Sequence, residues 1–116
     1  MSQLNPEVNL KLETFFDEVK INMQQIADRS VSNANHHYKN DPLENFSEKL
    51  DTLQRLIKST TTELENFGNK ALQEFDEKIS NHSKTDRQLA NVKLRDKLIK
   101  ETQVLLGNAT KQLFNK

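Results

Sequence analysis

Residues 41–80, DPLENFSEKLDTLQRLIKSTTTELENFGNKALQEFDEKIS, decide the fold. Asp41, Pro42, Leu43 and Glu44 read as a capping box with proline in the first helical position, where the missing N–H costs nothing and orphan donors find the capping carboxylates. From there Leu43, Phe46, Leu50, Leu53, Leu56, Ile57, Leu64, Phe67, Ala71, Leu72, Phe75 and Ile79 fall on one broad side of a helix turning by about 100° per residue. Glu48, Asp51, Lys58, Glu65 and Lys70 take the other side. The stripe keeps its phase throughout, which predicts one helix over residues 42–80, a rod of roughly 58 Å. Such a rod buries its apolar side only against partner helices.

Two partners lie in the same chain. Upstream, Val8, Leu12, Phe15, Phe16, Val19, Met23, Ile26 and Ala27 form a second stripe, predicting a helix over 6–38 that weakens into the polar run 30–37. The connection through Lys39, Asn40 and Asp41 is short, so the first two helices should be antiparallel neighbours. Downstream, residues 81–84 break the pattern, and Thr85 with Gln88 offers another capping box. A third helix over 86–115 follows, with Val92, Leu94, Leu98, Ile99, Leu105, Leu106, Ala109 and Leu113 on an arc wide enough to suggest burial from two sides. The expected fold is all-α: one domain over 1–116, an antiparallel three-helix bundle, up-down-up, with a long central helix. Gly68 sits on the apolar side of that helix, marking either a close approach between helices or a stop, and the unbroken stripe favours continuity.

Composition agrees. In 116 residues, 34% hydrophobic and 29% charged content suits amphipathic helices, while two prolines and two glycines are too few for the turns of an all-β chain. With no cysteine, disulfides and thiolate metal sites are excluded. No apolar run approaches the ~18 residues of a membrane span, and Met1 leads directly into polar sequence, which gives no sign of a signal peptide. A reducing, cytoplasmic setting is the expectation. The net charge of zero hides an asymmetry: residues 1–82 carry 9 Lys/Arg against 14 Asp/Glu, whereas residues 83–116 carry 8 against 3. A basic third helix docking on acidic neighbours is the simplest account; recruitment of an acidic partner or anionic lipid is the sharper one.

Catalysis finds no footing in these residues. His36 and His37 are adjacent and point about 100° apart on a helix, so they do not share a metal as i and i+4 do. Asp17, Glu18, Glu63, Glu65, Glu74, Asp76 and Glu77 lie on solvent sides or edges, where nothing pushes a carboxyl toward neutrality. Neither a Gly-rich phosphate loop nor a nucleophile elbow occurs. We therefore expect no enzyme, no cofactor and no metal. Arg95 projects into the middle of the third helix's apolar arc, as a stem lying along apolar surface, a bundle-spanning ion pair or a contact to an incoming helix. Lys93, Lys97, Lys100 and Lys111 cluster on the opposite side around Val104, a solvated face or a docking face for an acidic helix; without aromatic interleaving it suits nucleic acid poorly. The sequons at Asn45, Asn81 and Asn108 carry no meaning without a secretory signal.

Residues 22–31 (NMQQIADRSV), 65–69 (ENFGN) and 93–100 (KLRDKLIK), with the helix inventory, give a chain that resembles the N-terminal three-helix (Habc) domain of syntaxins, nearest to the endosomal and vacuolar members. In that family a Lys/Arg-rich run commonly opens the third helix. The resemblance covers roughly residues 8–115 and departs from the family in a longer second-helix region. It implies a regulatory module at the cytosolic face of endosomal or vacuolar membranes, cut from a longer anchored protein and monomeric in isolation. Its partner would be its own SNARE motif, or an SM-family or tethering regulator. A groove between helices 2 and 3 would receive the amphipathic helix, with Leu94, Arg95, Lys97, Leu98 and Glu101 as groove or rim residues. Two other classes stay open: a helical subunit of a cytoplasmic assembly, which the heptad-like spacing of Leu43, Phe46, Leu50, Leu53, Ile57, Leu64 and Phe67 also suits, and a lipid-binding bundle that opens on a membrane.

Overall fold

Three helices form where the apolar period requires them: α1 Pro6–Asn40, α2 Phe46–Lys78 and α3 Lys84–Phe114. The computed structural model describes residues 3–40 and 46–114, with side chains described over 3–35 and 46–112. No strand occurs among the described residues. The capping box proposed at Asp41 lies outside them.

The helix starts are set by side-chain caps. Asn5 Oδ1 accepts the Glu7 N–H at 2.8 Å, and the Asn5 carbonyl accepts the Asn9 N–H at 2.9 Å, so Asn5 is the N-cap and Pro6 the first helical residue of α1. In α3 the cap is Ser83, not Thr85: Ser83 Oγ accepts the Asp86 N–H at 3.1 Å and the Ser83 carbonyl accepts the Arg87 N–H at 3.0 Å. The Ser83 hydroxyl thus satisfies one of the orphan N–H groups of the first turn, where the acidic Asp86 is also favoured. α3 therefore begins two residues earlier than expected. α2 ends at Lys78, and its exit closes through Ser80 N–H to Glu77 C=O at 3.2 Å and His82 N–H to Ile79 C=O at 3.0 Å.

The lengths also differ from the sequence reading. Over the described residues the helices have 35, 33 and 31 residues; the expected start of the central helix, at residues 42–45, lies outside them. α1 runs through its polar end to Asn40 because Ser30 and Val31 are buried and Ala34 half-buried, which gives those turns a docking face.

The direction of each helix follows from three contacts. The Asn5 N–H reaches Asp86 Oδ1 at 3.4 Å, joining the starts of α1 and α3. Arg87 near the start of α3 meets Asp76 near the end of α2. At the far end Val31, Leu56 and Ala109 pack together. α1 and α3 thus run parallel with α2 antiparallel to both, up-down-up, and each helix touches the other two. The result is a rod of 57 × 23 × 19 Å.

The main core takes Val8, Leu12, Phe15, Phe16, Val19, Met23, Ile26 and Ala27 from α1, the whole stripe expected there, with Leu64, Ala71, Phe75, Ile79, Ala90, Leu94, Leu98 and Leu105. Phe15 and Phe75 meet as tilted rings 5.2 Å apart, a favoured aromatic arrangement. On α2 the buried seam is Leu56, Thr60, Leu64, Gly68, Ala71 and Phe75, narrower than the stripe. Phe46, Leu50 and Ile57 stay exposed, Phe46 by 78%. Among the described residues, the far-end cluster groups Val31, Leu56 and Ala109 with Ala34 and Leu53 packed against it. Between the two clusters lies Thr60, fully buried, its hydroxyl without a hydrogen-bond partner.

α2 continues unbroken through Gly68, which is buried against α3: a Cβ there would stand 3.8 Å from Leu98 Cδ1. The glycine marks close approach, not a hinge. Among the described residues no helix is long and apolar enough to cross a membrane.

Candidate functional site: the α2–α3 groove

The seams explain where the surface opens. The apolar arc of α3 is wider than its contacts, so Val92 (66% exposed) and Ile99 (52% exposed) are left on the edge facing α2's side of the bundle or the solvent beside it. α3 is packed by both α1 and α2, as its arc suggests, yet the arc is wider still than the two contacts cover. Thr61, Leu64, Glu65, Gly68, Asn69 and Leu72 of α2 and Arg95, Leu98, Ile99, Thr102 and Gln103 of α3 line a groove of about 340 Å³. Leu64 and Leu98 are buried in its floor, Leu72 is half-buried, and the absent side chain of Gly68 deepens it. Thr102 Oγ1 donates to the Leu98 carbonyl of its own helix at 2.8 Å. Each wall supplies small or apolar positions once per turn, the spacing an incoming helix would need.

Of the residues singled out from sequence, Arg95 and Leu98 meet in this groove. Leu94 is fully buried in the core. Lys97 lies on the other flank of α3, its Nζ 5.3 Å from the centre of the Phe16 ring on α1. Glu101 is half-buried and outside the lining. Gly68, Leu72 and Ile99 were not singled out for the site; the signals were the glycine on an apolar side and the excess width of the α3 arc.

The cations of α3 sort by partner. Arg87 forks onto Asp76 with Nε–Oδ1 at 3.0 Å and Nη2–Oδ2 at 2.6 Å. Hydrogen bonding from the guanidinium, aided by its charge, holds the Asp76 carboxyl below the usual carboxylate range, and Asp76 in turn raises Arg87. Lys93 Nζ donates to Asn9 Oδ1 of α1, Lys97 covers Phe16, and Lys100 pairs with Asp96 at 2.9 Å. The basic helix thus docks on α1 through an amide and an aromatic face, and on α2 through a carboxylate. The lysine cluster expected on one solvated face is split, since Lys93 and Lys97 are half-buried while Lys100, Val104 and Lys111 are exposed. Arg95 and Glu65, on opposite walls of the groove, form no ion pair among the described residues.

His36 and His37 have side chains outside the described set. Among the described residues no group of three or more His, Cys, Asp or Glu is placed to hold a metal. The Arg29–Glu63 pair at 3.9 Å joins α1 to α2 at the surface, where such pairs contribute ~0–1 kcal/mol. What the groove offers chemically is apolar area between two charged rims. Compared with protein-family models, curated proteins and solved structures, the chain matches none.

Proposed function

We propose that this chain is a non-catalytic interaction module that receives an amphipathic helix in the α2–α3 groove, and that it acts as syntaxin N-terminal regulatory domains do, controlling SNARE assembly. The observation that carries the reading is the open groove itself: two helices of a three-helix bundle leave an apolar channel at helical period, with Ile99 half-exposed on its wall. A fourth helix completes such a bundle. The partner is a SNARE-like heptad segment, its own or another chain's, or a helix of an SM-family or tethering regulator, at the cytosolic face of an endosomal or vacuolar membrane.

Two measurements test this. The mass of the native product and the reading frame beyond Lys116 should reveal apolar heptads with a central glutamine and a membrane span; a native chain ending at Lys116 removes the SNARE assignment. Separately, a SNARE-motif peptide should shift amide resonances of the groove walls, and Ile99→Asp should abolish the shifts in a still-helical protein. Shifts confined to other surfaces would remove the groove as the site.

A second reading has its own observation. Phe46, Leu50 and Ile57 lie exposed on the first turns of α2, which favours a helical subunit of a cytoplasmic assembly pairing through that helix. Sedimentation separates the two, because a closed regulatory module stays monomeric at micromolar concentration.

A further inference from the structure

α3 carries five cations between Arg87 and Lys100, and four of them are engaged: Arg87 by Asp76, Lys93 by Asn9, Lys97 by Phe16 and Lys100 by Asp96. The fifth, Arg95, stands exposed on the α3 wall of the groove with no ion pair among the described residues. Across the groove Glu65 is equally exposed on the α2 wall and equally unpaired. Opposite charges line the same channel yet do not bridge it. Between them lie the apolar floor and the gap over Gly68.

We propose that the groove selects a helix with oppositely charged flanks, acidic where it faces Arg95 and basic where it faces Glu65, with a large apolar side chain seated over Gly68. This rests on the helix-docking reading above and specifies its partner. The two rims act as the flanking positions of a coiled coil do, where charge chooses partner and direction while the apolar seam supplies affinity. A helix with like charges on both flanks meets one rim well and is opposed by the other. A mixed helix satisfies both, and only when it runs in one direction.

Three designed three-heptad peptides test this on the full chain. All share leucine in the seam; one has Glu on one flank and Lys on the other, one has Glu on both, one has Lys on both. By fluorescence anisotropy at low salt, the wild-type protein should bind the mixed peptide about two- to five-fold tighter than either uniform one, with the preference fading as salt screens the rims. Arg95→Glu should turn the preference to the Lys peptide, and Glu65→Lys to the Glu peptide. With Arg95→Gln the mixed and Lys peptides should bind equally and the Glu peptide more weakly, and with Glu65→Gln the mixed and Glu peptides equally and the Lys peptide more weakly. Both positions are exposed, so helicity by circular dichroism should be unchanged. One ranking shared by all the proteins overturns the rim inference and leaves helix docking standing; no binding of any peptide overturns both. A concentration-dependent dimer that Ile99→Asp dissolves makes a second copy the occupant and overturns the proposal.

Discussion

Thr60 has a hydroxyl that is fully buried and unpartnered at the middle of α2's seam, and an unmet buried polar group of this kind costs about 1–3 kcal/mol. Thr60→Val keeps the shape and removes the cost, so thermal unfolding should shift upward, by about 1 kcal/mol in stability. A lower midpoint would mean that the hydroxyl has a partner in solution. Gly68 behaves differently. A Cβ there makes ordinary contact with Leu98 at 3.8 Å, so Gly68→Ala should gain up to about 1 kcal/mol from helix propensity. Gly107→Ala, where nothing lies within 4 Å, should gain similarly in a denaturant melt while leaving the groove untouched. For Asp76 the sign runs with pH. Its folded carboxyl titrates below the ordinary value because Arg87 holds it, so its contribution is present above the unfolded pKa near about 3.9 and is lost as pH falls through the lower folded value. Melts of Asp76→Asn beside wild type should differ at neutral pH and converge as the pH falls through that acid window; a gap that stays unchanged as the carboxyl protonates would dismiss the pair.

At the scale of the helix, exposure on α2 changes along its length. Phe46, Leu50 and Ile57 face out, whereas Leu64, Ala71 and Phe75 are buried. Local opening follows the density of buried apolar contacts, so amide exchange should be fastest in the turns up to Leu56 and slowest from Leu64 to Phe75. Uniform protection along α2 would contradict this. The sequence made the stripes of α1 and the core half of α2 plain, because Val8 to Ala27 and Leu64 to Ile79 combine period with bulk. It did not show which edge of a broad stripe would be covered. Ile57 and Leu56 are neighbours with equal hydropathic claims, and it takes the packing of Leu56 against Val31, Ala34 and Ala109 across the bundle to show which goes in. Ser83 and Thr85 are both good capping residues, and local sequence did not say which hydroxyl would accept a first-turn N–H; in the structure Ser83 does. Arg95 and Leu98 could be read as groove residues from their place on the arc. Lys97 could not be told from them, since its attachment to Phe16 depends on a crossing between α1 and α3 that no local pattern encodes.

Among the described residues the caps, ion-pair fork and aromatic contact are gathered at one end of the molecule. The caps at Asn5 and Ser83, the Asn5–Asp86 bond, the Arg87–Asp76 fork and the Phe15–Phe75 contact all belong to the half that holds the α2–α3 turn. The other half holds a three-residue buried cluster beyond Thr60. That imbalance bears on the groove, because its walls run from Leu72 and Arg95 in the firm half toward Thr61 and Gln103 near the thin one. The short turn from Lys78 to Lys84 also has a kinetic meaning. Closing so short a loop costs little entropy, and the helices it joins are also tied by the Arg87–Asp76 fork, so the α2–α3 hairpin around Ile79 and Ala90 should gain amide protection early in a pulsed-exchange refolding experiment. The contacts of Val31 and Ala109, at the end away from that turn, should then be the later ones to form and the earlier ones to release, which exchange at their amides would read.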